Sequence, residues 1–418
     1  MDGKTAKTIV QKRADKLIAI ARTQLEHGKL EQALNTVATC ALTLYSANQC
    51  YTSAALETLL SQIAEKFPIP EIATSADDDR VLFYDGFGFG SRGLLTIYLQ
   101  ALCSFKKVTF VTRREWSPRV SEVITLVKSS GGEIYFLDNK TKTEDVRKLQ
   151  DIICSCGARH LFMYANADDV VVTTAFLRTP KDRVRYQINL TDHAFWLGSR
   201  CADKYIEFRD YGGAISAAYR DIPKEKLVKL PFYPRLDQYK DFAGYPESFD
   251  PEKQQLVFSG GALYKTRSPD NAYYRLVAQM LRSYPHVVFW YAGSGDSTQL
   301  DLLIKEFPGQ VWHTPERQDL FEILKRCLFY LSTYPICGGL MFQYAAAAGK
   351  APILPASMNA RPQDAKSHQG RRTVCRQQSR PVHPATQHES KDPPMQVRSG
   401  CAEGFRSFSF GQGRKSPS

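Results

Sequence analysis

Residues 332–350 read S-T-Y-P-I-C-G-G-L-M-F-Q-Y-A-A-A-A-G-K. The run before them, residues 327–331 (CLFYL), is short and apolar, which predicts a fully buried strand. A loop carrying Gly338 and Gly339 follows, and then mostly apolar residues up to Gly349, a helix length with a glycine stop. Strand, glycine loop and buried helix together offer free backbone N–H groups and a positive dipole end to a phosphate. The only strongly polar side chain on that helix is Gln343, roughly one turn in and placed to face the loop. An ordinary buried helix with a tight entry turn fits the same letters, so the surroundings must decide.

They repeat the pattern. Residues 256–258 (LVF) read as a strand running into S-G-G-A-L-Y-K-T-R at 259–267. Residues 286–291 (HVVFWY) are a second strand, followed by A-G-S-G-D at 292–296. Val311, Trp312 and His313 open a third unit, with a helix over 318–326. Repeated strand, glycine turn and helix predict a parallel sheet whose loops gather at the carboxyl ends of the strands.

With these residues in hand, the stretch 256–353 resembles the nucleotide-sugar-binding half of the GT-B fold glycosyltransferases. In that family the first loop carries glycines and a lysine near the donor diphosphate. The last helix begins at a glycine turn and ends in small residues followed by G-x-P-[VI]; here the ending is A-A-A-A-G-K-A-P-I at 345–353. The resemblance implies donor contacts from Gly260, Gly261, Lys265, Arg267, Gly338, Gly339 and Gln343, with Lys265 and Arg267 neutralising the departing diphosphate. His313, which opens the loop before Thr314-Pro-Glu-Arg317, is a further candidate for the base or diphosphate. One departure stands out: many relatives have a glutamate before the glycine turn and another eight residues later, where this chain has Pro335 and Gln343. An amide holds ribose hydroxyls less strongly than a carboxylate.

A chain of 418 residues has room for two or three domains, and 43% hydrophobic with 11% aromatic residues supplies a globular core. No run approaches the roughly 18 consecutive apolar residues of a membrane span, and the first 13 residues are polar and charged, unlike a signal peptide. The ten cysteines lack zinc spacing, which favours reduced thiols in a cytoplasmic protein. Of the net charge of +12, residues 356–418 contribute +7 (11 Lys/Arg against 4 Asp/Glu), leaving +5 for the rest. That distribution speaks against nucleic acid as partner, and suits a phosphate-bearing ligand or peripheral contact with the inner face of an anionic membrane.

Residues 8–67 read as helical: Leu30, Ala33, Leu34, Val37, Ala38, Ala41 and Leu42 recur at helical spacing, as do Leu56, Leu59, Leu60 and Ile63. His27-Gly28-Lys29 separates the first two helices. The stretch is one tetratricopeptide-like hairpin plus a helix, too few repeats for a binding array, and is expected to serve packing, oligomerisation or a partner. Asp77-Asp78-Asp79 matches the D-x-D of another glycosyltransferase class but precedes the strand expected at 80–84. A solvated turn is the expected reading.

From 80 to about 228 a second α/β series runs, with strands expected at 80–84, 108–112, 133–137, 160–164 and 183–190. After the first strand, Gly88, Gly90 and Gly93 match G-x-G-x-x-G, with Arg92 in the same loop and Arg113, Arg114 and Glu115 about 20 residues on. This is the signal for a rival reading, an NAD(P)-dependent oxidoreductase; in GT-B enzymes a glycine loop here lines the acceptor side. In Asn189-Leu-Thr-Asp-His-Ala-Phe-Trp-Leu-Gly198, His193 stands where an acceptor-side base belongs, with Asp192 to orient it. A hydrogen-bonded histidine in a turn fits those letters equally. If the configuration of the sugar is retained, no base is needed.

Residues 229–255 carry four prolines and no periodicity, and read as the interdomain crossing, with a cleft expected between the domains. Past Pro355 the text changes. Residues 356–418 contain no Leu, Ile, Tyr or Trp, which predicts disorder. The break falls where a GT-B domain would continue, so an out-of-frame or truncated end is expected, with a natural basic tail as the competitor.

The expectation is therefore α/β: two Rossmann-like doubly wound domains (80–228 and 256–355), preceded by a helical appendage (1–70) and followed by a disordered tail. The expected activity is transfer of a hexose-type sugar from a nucleotide-diphosphate donor to a hydroxyl on a glycan, lipid-linked or protein acceptor, with no cofactor and no metal. A catalytically inactive sugar-nucleotide-binding or scaffold relative is the third reading.

Overall fold

The computed structural model describes residues 3–70, 74–88, 93–113, 120–137, 141–234, 236 and 240–355, without the side chains of 3–7, 93, 120 and 121. The expected tail, and with it the question of its reading frame, lies outside the described residues. Two compact units meet in the chain between Phe232 and Tyr233.

The first unit runs α1 (Gly3–Glu26), α2 (Leu30–Ala47), α3 (Ala54–Ala64), β1 (Asp77–Asp85), α4 (Gly93–Cys103), β2 (Lys107–Arg113), α5 (Val120–Ser129), β3 (Glu133–Leu137), α6 (Lys142–Ser155), β4 (Ala158–Tyr164), α7 (Val170–Leu177), β5 (Val184–Ile188), β6 (Lys204–Glu207), α8 (Asp210–Tyr219) and β7 (Leu227–Lys229). Its seven strands form one parallel sheet ordered β3-β2-β1-β4-β5-β6-β7. The order reverses between β1 and β4, where Val81 stands between Val108 and His160. β1 passes from exposed acids to five fully buried residues, as a strand covered on both faces must.

The three acids expected in a turn are the first residues of β1, at its amino end. Asp79 binds Lys106 at 3.0 Å, Asp77 faces Arg80 at 3.3 Å, and Asp78 meets His160 at 3.3 Å. The strand expected at 183–190 stops at Ile188, because the Asn189 side chain accepts the N–H of Thr191 and turns the chain. Strands β6 and β7, four and three residues long, are too short to show a period and were not expected. β7 also takes Leu227–Lys229 into the sheet, so the crossing begins later than 229.

Helices α1–α3 have no core of their own. Ala14, Ile18 and Ala21 of α1, Leu34 and Val37 of α2, and Leu56 and Leu60 of α3 belong to one cluster with Val146 and Leu149 of α6, Val171 and Ala175 of α7, and Leu161 and Met163 of β4. Polar pins reinforce the packing. Glu31 accepts the N–H of Thr143 (2.8 Å) at the start of α6, and buried Glu57 accepts the N–H groups of Gly198 (2.8 Å) and Ser199 (3.2 Å). Burial pushes the Glu57 carboxyl up, and those two N–H groups only partly offset it.

The second unit runs β8 (Gln255–Gly260), α9 (Ala272–Ser283), β9 (Val287–Ala292), α10 (Thr298–Glu306), β10 (Val311–Thr314), α11 (Leu320–Arg326), β11 (Phe329–Leu331), α12 (Gly339–Ala347) and β12 (Pro352–Ile353). Its sheet is parallel, ordered β10-β9-β8-β11-β12, so here the order reverses between β8 and β11. All of β9 is buried, as a central parallel strand requires. Residues 242–249, expected in the crossing, belong to this unit's core: Phe242, Tyr245 and Phe249 pack with Trp290 and Trp312.

The eight described cysteines are free thiols. Among the described residues no helix is long and apolar enough to cross a membrane.

Two stability measurements check this packing. Glu57→Ala strands two buried N–H groups and should cost about 2–4 kcal/mol in chemical denaturation, with Glu57→Gln losing less. His160 on β4 is 2% exposed, and burial pushes it down to about 4. Above pH 6.5 neither state is protonated and its stabilising contribution is complete. Between 6.5 and 4 only the unfolded chain takes up the proton, so that contribution is lost as the pH falls. The stability advantage of the wild type over His160→Gln should shrink by about 2–3 kcal/mol between pH 7 and 4.5.

Candidate functional site

In the second unit the exits of β8 and β11 part at the point where the strand order reverses, the position at which open α/β sheets hold ligands. The first exit is Ser259, Gly260 and Gly261, then a short 3₁₀ turn, Leu263–Thr266, carrying Lys265. A Cβ on Gly260 would lie 2.9 Å from the Ala292 carbonyl. Gly261 has φ +127° and open space on its side-chain position, so its conformation requires glycine while its flank stays accessible. Two buried tyrosines steady this loop: Tyr291 donates to the Gly261 carbonyl (3.0 Å) and Tyr330 to that of Gly260 (3.3 Å). Burial, first of all, raises both phenols, so they remain donors. Sequence reasoning missed them, reading both as strand aromatics.

The second exit, residues 332–338, leads into α12 with Gly338 as N-cap, which has no side chain to satisfy the first-turn N–H groups. The N–H of Ile336 donates to the Lys265 carbonyl at 3.2 Å and ties the two exits together. The Lys265 Nζ lies 3.9 Å from the point where a Cβ on Gly338 would sit, and Gly339 has open space at its own. A cation, an uncapped helix start and a side-chain-free backbone thus share one place, a combination suited to an anion.

Gly260, Gly261, Lys265, Gly338 and Gly339 are therefore brought together. Gln343 lies on α12 one turn in, its Oε1 buried without a hydrogen-bond partner. Arg267 turns instead to an exposed ion pair with Asp296. His313 is the last residue but one of β10, separated from β8 by β9, and its Nε2 is 2.9 Å from the Gly293 carbonyl.

In the first unit the residues expected around the glycine loop are only partly described. Gly88 has φ +63° and Gly93 opens α4, while Gly90, Arg92, Arg114 and Glu115 lie outside the described residues. Arg113 ends β2 with its guanidinium 3.8 Å from buried Asp169, which also accepts the Tyr84 hydroxyl at 2.8 Å. Arg113 is therefore within ion-pair range of Asp169. Asp169 is the N-cap of α7, so this cluster joins the carboxyl ends of β1 and β2 to the start of that helix.

Asp192 and His193 follow β5. Asp192 is fully buried and held by Arg209 through both oxygens, with Nη2 2.7 Å from Oδ1. Burial works against its charge, but bonds from His193 and Arg209 win and hold the carboxyl below the usual range. His193 is nearly half exposed, its Nδ1 3.6 Å from Asp192 Oδ1. The partner that sequence reasoning did not find for Asp192 is Arg209, 17 residues away beyond a strand it had not drawn.

The glycines differ in what they require, and stability separates them. Gly261→Ala forces an L side chain into φ +127° and should lower stability by about 1–3 kcal/mol in chemical denaturation. Gly339→Ala, at an open helical position, should be neutral or stabilise by up to about 1 kcal/mol.

No family model matches the chain, and no curated protein matches it in sequence. Among solved structures, a mutant of the O-GlcNAc transferase of Thermobaculum terrenum is similar over 84% of this chain and 71% of its own, at 14% identity and a TM-score of 0.46. HepE of Anabaena, in complex with UDP and glucose, is similar over 66% and 80%, at 12% identity and 0.49. A UDP-GlcNAc 2-epimerase from Neisseria meningitidis bound to UDP-GlcNAc is similar over 69% and 85%, at 11% identity and 0.43. Likenesses this loose carry no argument about what this chain binds or does.

Proposed function

We propose that the second unit binds the diphosphate of a nucleotide sugar at the exits of β8 and β11, and that the protein transfers the sugar to a hydroxyl acceptor. The observation that carries this reading is the placement of the Lys265 ammonium beside Gly338 at the uncapped start of α12, where the strand order reverses. When the bond between sugar and diphosphate breaks, negative charge gathers on the departing phosphate oxygen. An ammonium and first-turn N–H groups already in place stabilise that charge more than they stabilise the bound donor. Gln343, one turn along, supplies an amide for a hydroxyl or carbonyl of the donor. His193 takes the proton of the acceptor hydroxyl through its imidazole if the reaction inverts the sugar. The acceptor class is a glycan, lipid-linked or protein hydroxyl.

A thermal-shift series with UDP, GDP, ADP, their hexose conjugates and NADPH tests the binding half. A ligand at 100 times its Kd should add about 2.7 kcal/mol of stability. Lys265→Ala should abolish most of the shift; an unchanged shift removes Lys265 from the site, and a response to NADPH alone favours a dinucleotide. For the chemical half, His193→Gln should leave nucleotide binding intact and lower kcat by about 10²–10⁴.

A further inference from the structure

Helix α1 gives only one side of itself to the fold. Ala14, Ile18 and Ala21 are buried, with Val10, Leu17 and Leu25 packed beside them. At 3.6 residues per turn, positions 9, 13, 16 and 20 fall on one line outside that buried side, with position 12 next to it. They are Ile9, Arg13, Lys16 and Ile20, with Lys12, and all five are exposed. A single exposed isoleucine is ordinary. Two of them, 51% and 40% open, on one line with three cations form a pattern.

The cations are unspent. Among the described residues none of the three has a carboxylate partner. Asp15, the acid nearest in sequence, lies off the line and takes the Gln11 amide at 2.9 Å. The helices packed on α1 bring no free acid to it either. Glu31 is the only acid of α2 and accepts from Thr143, while Glu57, the only acid of α3, is buried on the N–H groups of Gly198 and Ser199. A helix face that simply meets water is laced with both signs, as on α11, where Glu322 holds Lys325 (2.6 Å) and Arg326 (2.7 Å).

We propose that this line of α1 is a docking surface for an anionic lipid bilayer, on which the helix lies parallel to the membrane plane. Cations alone would suit any polyanion, and the isoleucines narrow the choice. A phosphate backbone gives an aliphatic side chain nothing to enter. A lipid interface takes it into the acyl boundary, while lysine and arginine stems carry their charges to the headgroups. Three cations and two isoleucines make a reversible attachment, far from the grip of a spanning helix. The overall charge of the chain could not assign this surface, because most of it belongs to residues 356–418. The surface also stands apart from the anion site of the second unit, and failure of the sugar-transfer reading would leave it untouched.

Co-sedimentation of the full chain with phosphatidylcholine vesicles, with and without phosphatidylserine, tests the proposal. The wild type should partition onto the phosphatidylserine vesicles alone, and added salt should release it. Lys12→Gln, Arg13→Gln and Lys16→Gln together should weaken partition about a hundredfold, at about fivefold per cation. A control of equal net charge removes three exposed cations on other elements, Lys66→Gln, Lys224→Gln and Lys305→Gln. It should bind within about threefold of the wild type. Ile9→Gln with Ile20→Gln keeps good helix formers and should weaken partition about tenfold. All these positions are exposed, and an unchanged thermal midpoint verifies the fold of each variant. Equal losses in the two charge variants would assign the binding to net charge and overturn the proposal. An unaltered partition of the isoleucine pair overturns it too, since the line would then be a plain polyanion patch. A wild type that stays off both kinds of vesicle ends it outright.

Discussion

A parallel sheet sends every strand out on the same side, and the point where its order reverses is where two neighbouring exits turn toward opposite faces and leave backbone uncovered. In the second unit that point lies between β8 and β11, and the groups suited to an anion are found there. Lys265 comes from one exit and the uncapped start of α12 from the other, tied by a single backbone bond from Ile336 to Lys265. Each element offers little alone: a surface lysine is well solvated, and a helix start binds weakly. Together they make a small positive place, with the Met341 side chain beside it.

Buried residues beneath that place steady its first loop. Tyr291 and Tyr330 rise from the sheet beneath and fix two glycine carbonyls, so the first loop keeps a conformation that glycine alone would leave loose. Close approach matters as much. Gly260 leaves room for the Ala292 carbonyl and lets the exits of β8 and β9 pack together.

The first unit solves a different problem, the support of a polar turn over a hydrophobic sheet. Three of its buried carboxylates sit in hydrogen-bonded groups: Asp192 with Arg209, Glu207 with Asn189 and Ser216, and Asp169 with Tyr84 and the first N–H groups of α7. Buried charge is tolerated only on such terms. The helices of the amino-terminal stretch join this scheme through Glu57 and Tyr51, which reach the 191–199 turn and Arg220. Their packing on α6 and α7 makes them part of the domain.

Much of this was legible in the letters alone. Short apolar runs such as HVVFWY, several of them followed by glycines and then by helix-length stretches, pointed to a parallel α/β arrangement, because strands covered on both faces read as continuous apolar runs. The resemblance carried by that pattern named Gly260, Gly261, Lys265, Gly338 and Gly339 as one group, together with Arg267, Gln343 and, as a further candidate, His313. Strands of three and four residues escaped, since β6 and β7 are too short to carry a period. What only the tertiary structure decided is pairing across distance. Arg267 goes to Asp296, Arg113 to Asp169 and Arg209 to Asp192, and the aromatic strap at 242–249 belongs to the second core. A charged side chain takes whichever partner the fold brings within a few ångströms, and that choice depends on strand order and burial, which have no period along the chain.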